Sequence, residues 1–244
     1  MFKTQIKYDA LKEIGSVTKA IVKELRIDVS SERLEISAVD GAHVGMISMQ
    51  YGKGVFTNYK GEDTSFAIDL ERFNDSLKFG KSGQMVEVSI GQENKLEIVT
   101  GNVTRKNALL DMTPFADIPP FPNIQLDAYV VMKLEDFIQG VKAGGSVSDE
   151  LSLVLSQKGL VMTSNGTLDT VIVNVAKEKF SKFEIPNEKI SAYPLKMLSD
   201  VISNISSEQI VLYADTNKPL RIDFALCEGI GKGKFIIAPR TPDK

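Results

Sequence analysis

Short runs of alternating apolar and polar residues are the feature that most limits what this chain can fold into. They recur at residues 25–29, 34–36, 86–90, 96–98, 151–155, 171–175, 210–212 and 220–224. A period of two places one row of side chains on a core and the other row in solvent. Gly, Asn and Asp separate the runs at the short intervals that hairpins require. The pattern predicts half-buried strands in antiparallel sheets.

Four segments carry apolar residues at helical spacing instead. They cover residues 9–25, 69–79, 133–143 and 193–205. In the last segment, for example, Leu195, Leu198 and Ile202 fall on one face. We expect four short amphipathic helices, each with one side on a core.

The order of helix, strands, helix, strands occurs twice along the chain. Residues 33–37 align with 159–163, Leu70 with Leu195, and 95–98 with 219–222, at offsets of 126, 125 and 124. Three pairs of elements at nearly one offset predict an α+β fold made of two tandem copies of a sheet domain with two helices each.

A proline-containing stretch lies between the two copies. Four prolines fall within residues 114–122, where neither a strand nor a helix interior would tolerate them. We therefore expect an N-terminal domain at 1–112, a stiff connector at 113–126 and a C-terminal domain at 127–244. The apolar Phe115, Ile118 and Phe121 either pack back on the domains or line a groove for a partner peptide.

The charge and the rare residues exclude several classes of protein. The net charge of −3 argues against coating nucleic acid by bulk charge, although a local basic surface stays possible. One His and one Cys exclude a zinc site built from these residues and a disulfide framework. The start of the chain does not read as a signal peptide, and no apolar run reaches 18 residues, so we expect a cytoplasmic protein without a membrane span.

Catalytic motifs are also missing from the sequence. Any Ser/His/Asp triad would need His43, and nothing near it reads as a nucleophile elbow. The segment Gly80-Lys81-Ser82 lacks the first glycine of a phosphate-binding loop and follows a predicted helix instead of preceding one. We expect no enzyme activity, no cofactor and no metal, although carboxylates scattered along the chain could still meet in space.

One helix carries a basic stripe opposite its apolar face. Lys12, Ser16, Lys19 and Lys23 are spaced by 4, 7 and 11 positions from the first, which places them on one narrow line. Taken alone, such a stripe is most simply a solvated face. The other predicted helices contribute fewer basic residues, with acids such as Asp75 interleaved, and the first helix itself contains the acid Glu13. These additional basic residues are Arg72, Lys78, Lys81, Lys142 and Lys196.

Four short segments resemble motifs of one known family, in the family's order. The segment 38–46 contains a D-x-x-H-V motif, and Leu109-Leu110-Asp111 leads into the connector. Residues 217–222 resemble the family's penultimate strand, and 235–240 its closing A-P-K/R segment. Over essentially the whole chain, the sequence resembles the archaeal type of the proliferating cell nuclear antigen (PCNA) family of DNA polymerase sliding clamps.

The resemblance implies a ring of three identical chains joined head to tail, with sheets outside and helices lining a central hole. It implies contact between edge strands near Val103, Arg105 and Asn107 on one chain and Val171, Val173 and Val175 on the next. Duplex DNA would pass through the hole without sequence preference and meet the basic residues. The DNA-facing set is then Lys12, Lys19, Lys23, Arg72, Lys78, Lys81, Lys142 and Lys196.

The resemblance also implies partners that bind through short peptides, namely DNA polymerase, a clamp loader, a flap nuclease and a ligase, on a protein associated with the nucleoid. Their pocket would be formed by Val39, His43, Val44, Met46, Ile118, Pro119, Pro219, Ile236, Ala238, Pro239 and Arg240.

Three other functions stay open at this point. The chain could be one subunit of a heterotrimeric or checkpoint-type clamp. It could instead be a two-domain enzyme with a carboxylate or metal site, or a β-rich scaffold that never meets DNA.

Overall fold

The computed structural model describes residues 2–91 and 93–240. The strands of the first half are β1 (Phe2–Lys7), β2 (Glu24–Val29), β3 (Arg33–Val39), β4 (Gly45–Gly52), β5 (Thr57–Gly61), β6 (Thr64–Asp69), β7 (Met85–Ile90), β8 (Lys95–Thr100) and β9 (Val103–Ala108). Those of the second half are β10 (Ala128–Lys133), β11 (Glu150–Ser156), β12 (Gly159–Asn165), β13 (Thr170–Ala176), β14 (Lys182–Glu184), β15 (Lys189–Pro194), β16 (Gln209–Ala214), β17 (Leu220–Leu226) and β18 (Gly231–Ile237). The helices are α1 (Tyr8–Lys19), α2 (Leu70–Ser76), α3 (Leu134–Gly144) and α4 (Leu195–Ile202).

The two halves repeat one sequence of elements. Each half runs strand, helix, five strands, helix and three strands. The antiparallel pairings repeat as well: β1 pairs with β5 and β7 as β10 pairs with β14 and β16, and β2 pairs with β3 and β6 as β11 pairs with β12 and β15. The predicted α+β duplication is confirmed, and every predicted strand lies within an observed one.

The chain forms two compact units. The first contains the described residues up to Phe121 together with Leu226–Gly233, and the second contains Pro122–Ala225 and the described residues from Lys234 onwards. Within the first, one sheet has the order β5-β1-β7-β8-β9, and β4-β3-β2-β6 pair in that order. Within the second, the corresponding orders are β14-β10-β16-β17 and β13-β12-β11-β15.

Three helices end earlier than the apolar spacing predicts, and the one predicted over 193–205 ends at Ile202. The helix predicted over 9–25 ends at Lys19, because Leu25 belongs to the alternating strand β2. Lys23 therefore lies outside α1. The helix predicted over 69–79 ends at Ser76, and Lys78 and Lys81 follow it in turns.

Each helix begins at a backbone hydrogen bond to a distant segment. In the first unit the N–H of Tyr8 donates to the carbonyl of Gln84 at 2.7 Å, and that of Leu70 donates to Lys23 at 3.0 Å. The second unit repeats both bonds, from Leu134 to Glu208 at 3.0 Å and from Leu195 to Asp149 at 2.8 Å. Within each unit, the start of one helix is thus held by the segment that follows the other helix.

Close packing fixes the first pair of helices against each other. The amide of Asn74 on α2 donates to the carbonyl of Gly15 on α1 at 3.2 Å, as well as to Leu70 at 2.8 Å. A methyl group at Gly15 would lie only 2.3 Å from the Asn74 oxygen. Glycine at this position leaves room for the Asn74 side chain, and a larger residue would displace it.

The connector begins as a folded turn and not as extended chain. Residues Thr113–Phe115 form a short 3-10 helix that contains Pro114 near its start, where proline is tolerated. Pro114 therefore lies outside the interior of this helix. Phe115 is buried, and its carbonyl accepts a hydrogen bond of 3.0 Å from Arg26. This part of the connector packs back on the first unit.

A buried ion cluster joins three segments of the second unit. The ammonium group of Lys189, on a residue that is only 5% exposed, lies 3.0 Å from Asp215 and 3.4 Å from Asp127. Asp215 also accepts hydrogen bonds from Lys218 at 2.7 Å and from the Thr216 N–H at 2.8 Å. Burial raises the pKa of Asp215, but the hydrogen bonds from Lys218, Lys189 and Thr216 outweigh it and lower the pKa to about 2.

We predict that Asp215→Asn lowers the free energy of unfolding by about 3 kcal/mol at pH 7, because it leaves the Lys189 charge buried with one weaker partner. Chemical denaturation measures this loss.

The folded pKa of Asp215 lies below its ordinary value of 3.8. The stabilisation is therefore complete above that value and disappears as the pH falls towards 2, so variant and wild type converge there. Asp200→Asn, which breaks only the exposed pair with Lys196, should change stability by less than about 0.5 kcal/mol. Equal stability of Asp215→Asn and wild type at pH 7 would contradict the assignment.

Candidate functional site

Helices α1 and α3, which occupy the same place in the two repeats, expose lysines on one side and bury apolar residues on the other. Lys12 and Lys19 of α1 are exposed, and so is Lys142 of α3. None of the three forms an ion pair with a carboxylate among residues 2–91 and 93–240. Their charges are therefore available to an external anion.

Arg72 and Lys196, on α2 and α4, are also exposed. Lys196 pairs with Asp200 one turn further along α4, at 2.7 Å. The hydrogen bond from Asp200 raises the pKa of Lys196. Of these two basic side chains, only Lys196 is paired, so they differ in the charge that they can offer.

The two acids expected to dilute the basic surface are less available to a ligand than the sequence suggests. Glu13 lies on the buried side of α1 and is only 6% exposed. Asp75 is held by Lys78 at 2.7 Å, and the hydrogen bond from Lys78 lowers the pKa of Asp75. That pair neutralises Lys78 as well as Asp75.

Lys81 is exposed on a loop, and α1 holds that loop in place. The carboxylate of Asp9 accepts hydrogen bonds from the Gly83 N–H at 2.8 Å and from the Ser82 hydroxyl at 3.2 Å. The Gly83 bond is the main cause that lowers the pKa of Asp9. Lys23 is likewise exposed, in the turn between α1 and β2.

Both segments expected to join neighbouring chains lie at free edges of sheets. Strand β9, with Val103, Arg105 and Asn107, ends the sheet of the first unit. Strand β13, with Val171 and Val173, ends a sheet of the second unit. Each strand pairs on one side only, with β8 or β12, and leaves a row of backbone groups unpaired within its own unit.

The side chains on the two edges differ in what they can contact. Asn107 is turned inwards and donates to the Ser76 hydroxyl at 2.9 Å. Arg105 lies 5.8 Å from the ring centre of Phe79, which is 57% exposed. On β13, Val175 is buried, whereas Ile172 is 59% exposed. Sequence reasoning missed Phe79, which only its exposure reveals, whereas Ile172 lies within the edge segment 171–175 that the resemblance implies and is singled out by its exposure.

A single aspartate shapes the loop between β3 and β4. The Asp40 carboxylate accepts hydrogen bonds from the N–H groups of Ala42 at 2.9 Å, Val44 at 2.7 Å and Gly45 at 2.6 Å. His43 has a left-handed backbone with φ of 56° and an exposed side chain. Asp40 thus fixes the conformation in which His43 and Val44 are presented.

The other predicted pocket residues of the first unit range from buried to exposed. Met46 is 5% exposed and belongs to the core, whereas Val39 and Ile118 are half-buried and Pro119 is exposed. Val39, Ile118 and Pro119 therefore offer surface to a ligand without rearrangement, whereas Met46 does not.

The predicted pocket residues of the second unit lie on β18, beyond it and before β17. Ile236 is 6% exposed, while Pro219, Ala238 and Pro239 are half-buried. The exposed Arg240 is held by Asp149 at 2.7 Å, and its N–H donates to the Ala192 carbonyl at 2.7 Å. These bonds anchor the segment after β18.

The described part of the chain contains no group of three His, Cys, Asp or Glu residues placed to hold a metal ion. Its helices are also too short and too polar for any of them to cross a bilayer.

Comparison with known proteins decides the family. The family model for the proliferating cell nuclear antigen N-terminal domain matches residues 1–112. The DNA polymerase sliding clamp of Thermoplasma volcanium is 30% identical to this chain, over 98% of the chain and 99% of the relative. The chain belongs to the DNA polymerase sliding clamp family. A second clamp, from Methanococcoides burtonii, is 29% identical over 98% of both proteins.

Solved structures of clamps have the same fold. A structure of A. fulgidus PCNA bound to the C-terminal region of FEN-1 has a TM-score of 0.93 and 26% identity, and covers both chains completely. PCNA from Thermococcus kodakaraensis has a TM-score of 0.89, over 98% of this chain and 100% of its own, at 22% identity, which supports the fold alone. The recognition made from the ordered motifs is confirmed.

Proposed function

We propose that three copies of this chain close into a ring that encircles duplex DNA and tethers DNA polymerase and other replication and repair enzymes to it. The chain itself carries out no chemistry. The observation that carries this proposal is the unpaired lysine face of α1, together with the unpaired Lys142 of α3, the helix at the same place of the second repeat. The ring would raise the effective concentration of the tethered enzyme near DNA. The enzyme then rebinds DNA before it diffuses away, which makes synthesis processive.

Lysines suit a surface that must hold DNA and still slide along it. Lys12, Lys19 and Lys142 are point charges on flexible stems, which attract phosphates without reading bases. The same role is proposed for Lys23, Arg72 and Lys81. Lys78 and Lys196 first have to exchange Asp75 or Asp200 for a phosphate, and so they contribute less.

We predict that the combined substitution of Lys12, Lys19 and Lys142 by Ala weakens binding of a short duplex and reduces the dependence of log K on log salt. Each lost phosphate contact should lower that slope by about 0.9. A titration of duplex DNA at several salt concentrations measures both effects.

The matched control replaces Lys60, Lys232 and Lys234 by Ala. These lysines are exposed on strands and form no ion pair with a described carboxylate. A loss of DNA binding equal to that of the helix variant would assign the interaction to net charge and contradict a role for the helix faces.

The free edges of β9 and β13 are the segments through which we propose that neighbouring chains join into a ring. A head-to-tail contact would pair the backbone of β9 on one chain with that of β13 on the next, and would cover the exposed Ile172. The proposed interface residues are Val103, Arg105, Asn107, Val171, Val173 and Val175, with Phe79 and Ile172 added from their exposure. Here Asn107 would support α2 rather than contact the neighbouring chain.

Light scattering after size exclusion tests this arrangement. We predict a species of three times 26.8 kDa, about 80 kDa, that Ile172→Asp dissociates into monomers because it places a charge in an apolar contact. Leu168→Asp is the control, because Leu168 is 98% exposed in the turn before β13. A wild-type chain that stays monomeric would contradict the homotrimer and favour a subunit of a heterotrimer.

We also propose that client peptides bind to the exposed and half-buried residues singled out by the resemblance. The relative from A. fulgidus binds the C-terminal region of FEN-1, which supports recognition of short peptides. The residues proposed for this role are Val39, His43, Val44, Ile118, Pro119, Pro219, Ala238, Pro239 and Arg240. Met46 and Ile236 would support them from the core.

We predict that Ala238→Arg weakens binding of a peptide from the C-terminal region of FEN-1 by about tenfold or more, since a bulky charge would occupy apolar contact surface. Fluorescence anisotropy of the labelled peptide measures the affinity. Ala225→Arg places the same side chain at an exposed position of β17 and should have no effect. Normal peptide binding by Ala238→Arg would show that the pocket lies elsewhere.

A further inference from the structure

The two repeats differ in charge at one matched pair of positions. Glu32 is the residue before β3, and Lys158 is the residue before the matching strand β12. Lys53 follows β4, and Lys177 follows the matching strand β13; each begins a short 3-10 helix. The same backbone bond joins both pairs: Lys53 N–H donates to the Glu32 carbonyl at 2.8 Å, and Lys177 N–H donates to the Lys158 carbonyl at 3.3 Å.

In the first repeat this pair is an ion pair. The Lys53 ammonium lies 2.7 Å from one carboxylate oxygen of Glu32 and 2.9 Å from the other. In the second repeat two lysines take the same places, and neither forms an ion pair with a carboxylate in the described part of the chain. Two neighbouring positive charges therefore lie where the fold elsewhere has a neutral pair.

The backbone keeps these two lysines together. The Lys158 N–H donates to the Ser156 hydroxyl at 3.2 Å, which fixes the turn before β12. Gly159 has a φ of +140°, and a methyl group there would lie 2.2 Å from the Val175 carbonyl. The segments that carry Lys158 and Lys177 are thus held at close approach, so the backbones of the two lysines stay near each other.

The neighbouring charges do not neutralise this pair. Lys179, at the end of the same 3-10 helix, is held by Asp136 at 3.3 Å. Glu178 lies next to Lys177 in the sequence, is exposed, and forms no ion pair with a described lysine or arginine.

We propose that Lys158 and Lys177 form a binding site for a carboxylate of an acidic segment on a protein partner. The first repeat supplies the geometric argument, because at the matched position a carboxylate already meets the ammonium of Lys53 at 2.7 Å. A partner's Asp or Glu would take the place that Glu32 occupies there, and would relieve the repulsion between the two lysines. This site is independent of the lysine faces of α1 and α3 and of the client-peptide residues.

A labelled hexaglutamate peptide, titrated at low salt and followed by fluorescence anisotropy, tests the proposal without DNA. We expect Lys158→Glu to reduce peptide affinity at least tenfold, because it recreates the ion pair of the first repeat within the chain. Lys232→Glu makes the same change of charge at an exposed position of β18 and should alter the affinity less than threefold. Lys158 is exposed, so the variant should fold, which circular dichroism checks.

A second variant tests for a gain of binding. Glu32→Lys places two lysines at the matched position of the first repeat, and we expect the number of bound peptides per chain to rise from one to two.

Two outcomes would overturn the proposal. One is a peptide affinity that Lys158→Glu leaves unchanged, or that Lys232→Glu reduces equally. The other is loss of duplex DNA binding in Lys158→Glu with normal peptide binding, which would assign the pair to nucleic acid. Because the peptide titration involves no DNA and no ring closure, failure of the proposed clamp function would not change its result.

Discussion

The backbone hydrogen bonds at the helix starts are the constraint on which the rest of the structure depends. Each helix begins where its first N–H meets a carbonyl from the segment that follows the other helix of its unit. An unpaired backbone donor is costly when buried, so these bonds fix where each helix starts and how it is turned. The lysine faces of α1 and α3 owe their positions to this arrangement.

Much of the fold could be predicted from the sequence because its signals are local. Alternation defines strands residue by residue, and the same order of elements at one offset reveals the duplication. The family was recognisable from the order of several short motifs, each weak alone. Helix ends were less predictable, because Leu25 fits both a helical face and the alternation of β2. The Leu70 N–H donates to the Lys23 carbonyl in the observed structure, where residues 24–29 form β2 and not part of α1. The sequence does not display this long-range bond.

The candidate surfaces were predictable in composition but not in detail. Glu13 sits among exposed lysines in the sequence, yet the broad buried side of α1 includes it. Phe79 and Ile172 look like core residues, yet Phe79 is exposed in the turn after α2 and Ile172 is exposed on the edge strand β13. Asp40 belongs to a motif that the sequence reveals, but the motif does not indicate its role, which is to accept three backbone hydrogen bonds. For Glu13, Phe79 and Ile172 the missing information is tertiary contact, whereas for Asp40 it is the conformation of its own loop.

The reciprocal bonds between helix starts and distant segments have a consequence for folding. Helices of 7 to 12 residues are too short to persist alone in water. The carbonyl groups that accept the hydrogen bonds at the helix starts lie dozens of positions away in the chain. Neither helix of a unit can therefore become stable before the other has formed. Folding of each unit should be slow and cooperative, with few local intermediates. The basic surface would then appear only in the last step, so that a partly folded chain offers no array of lysines to DNA.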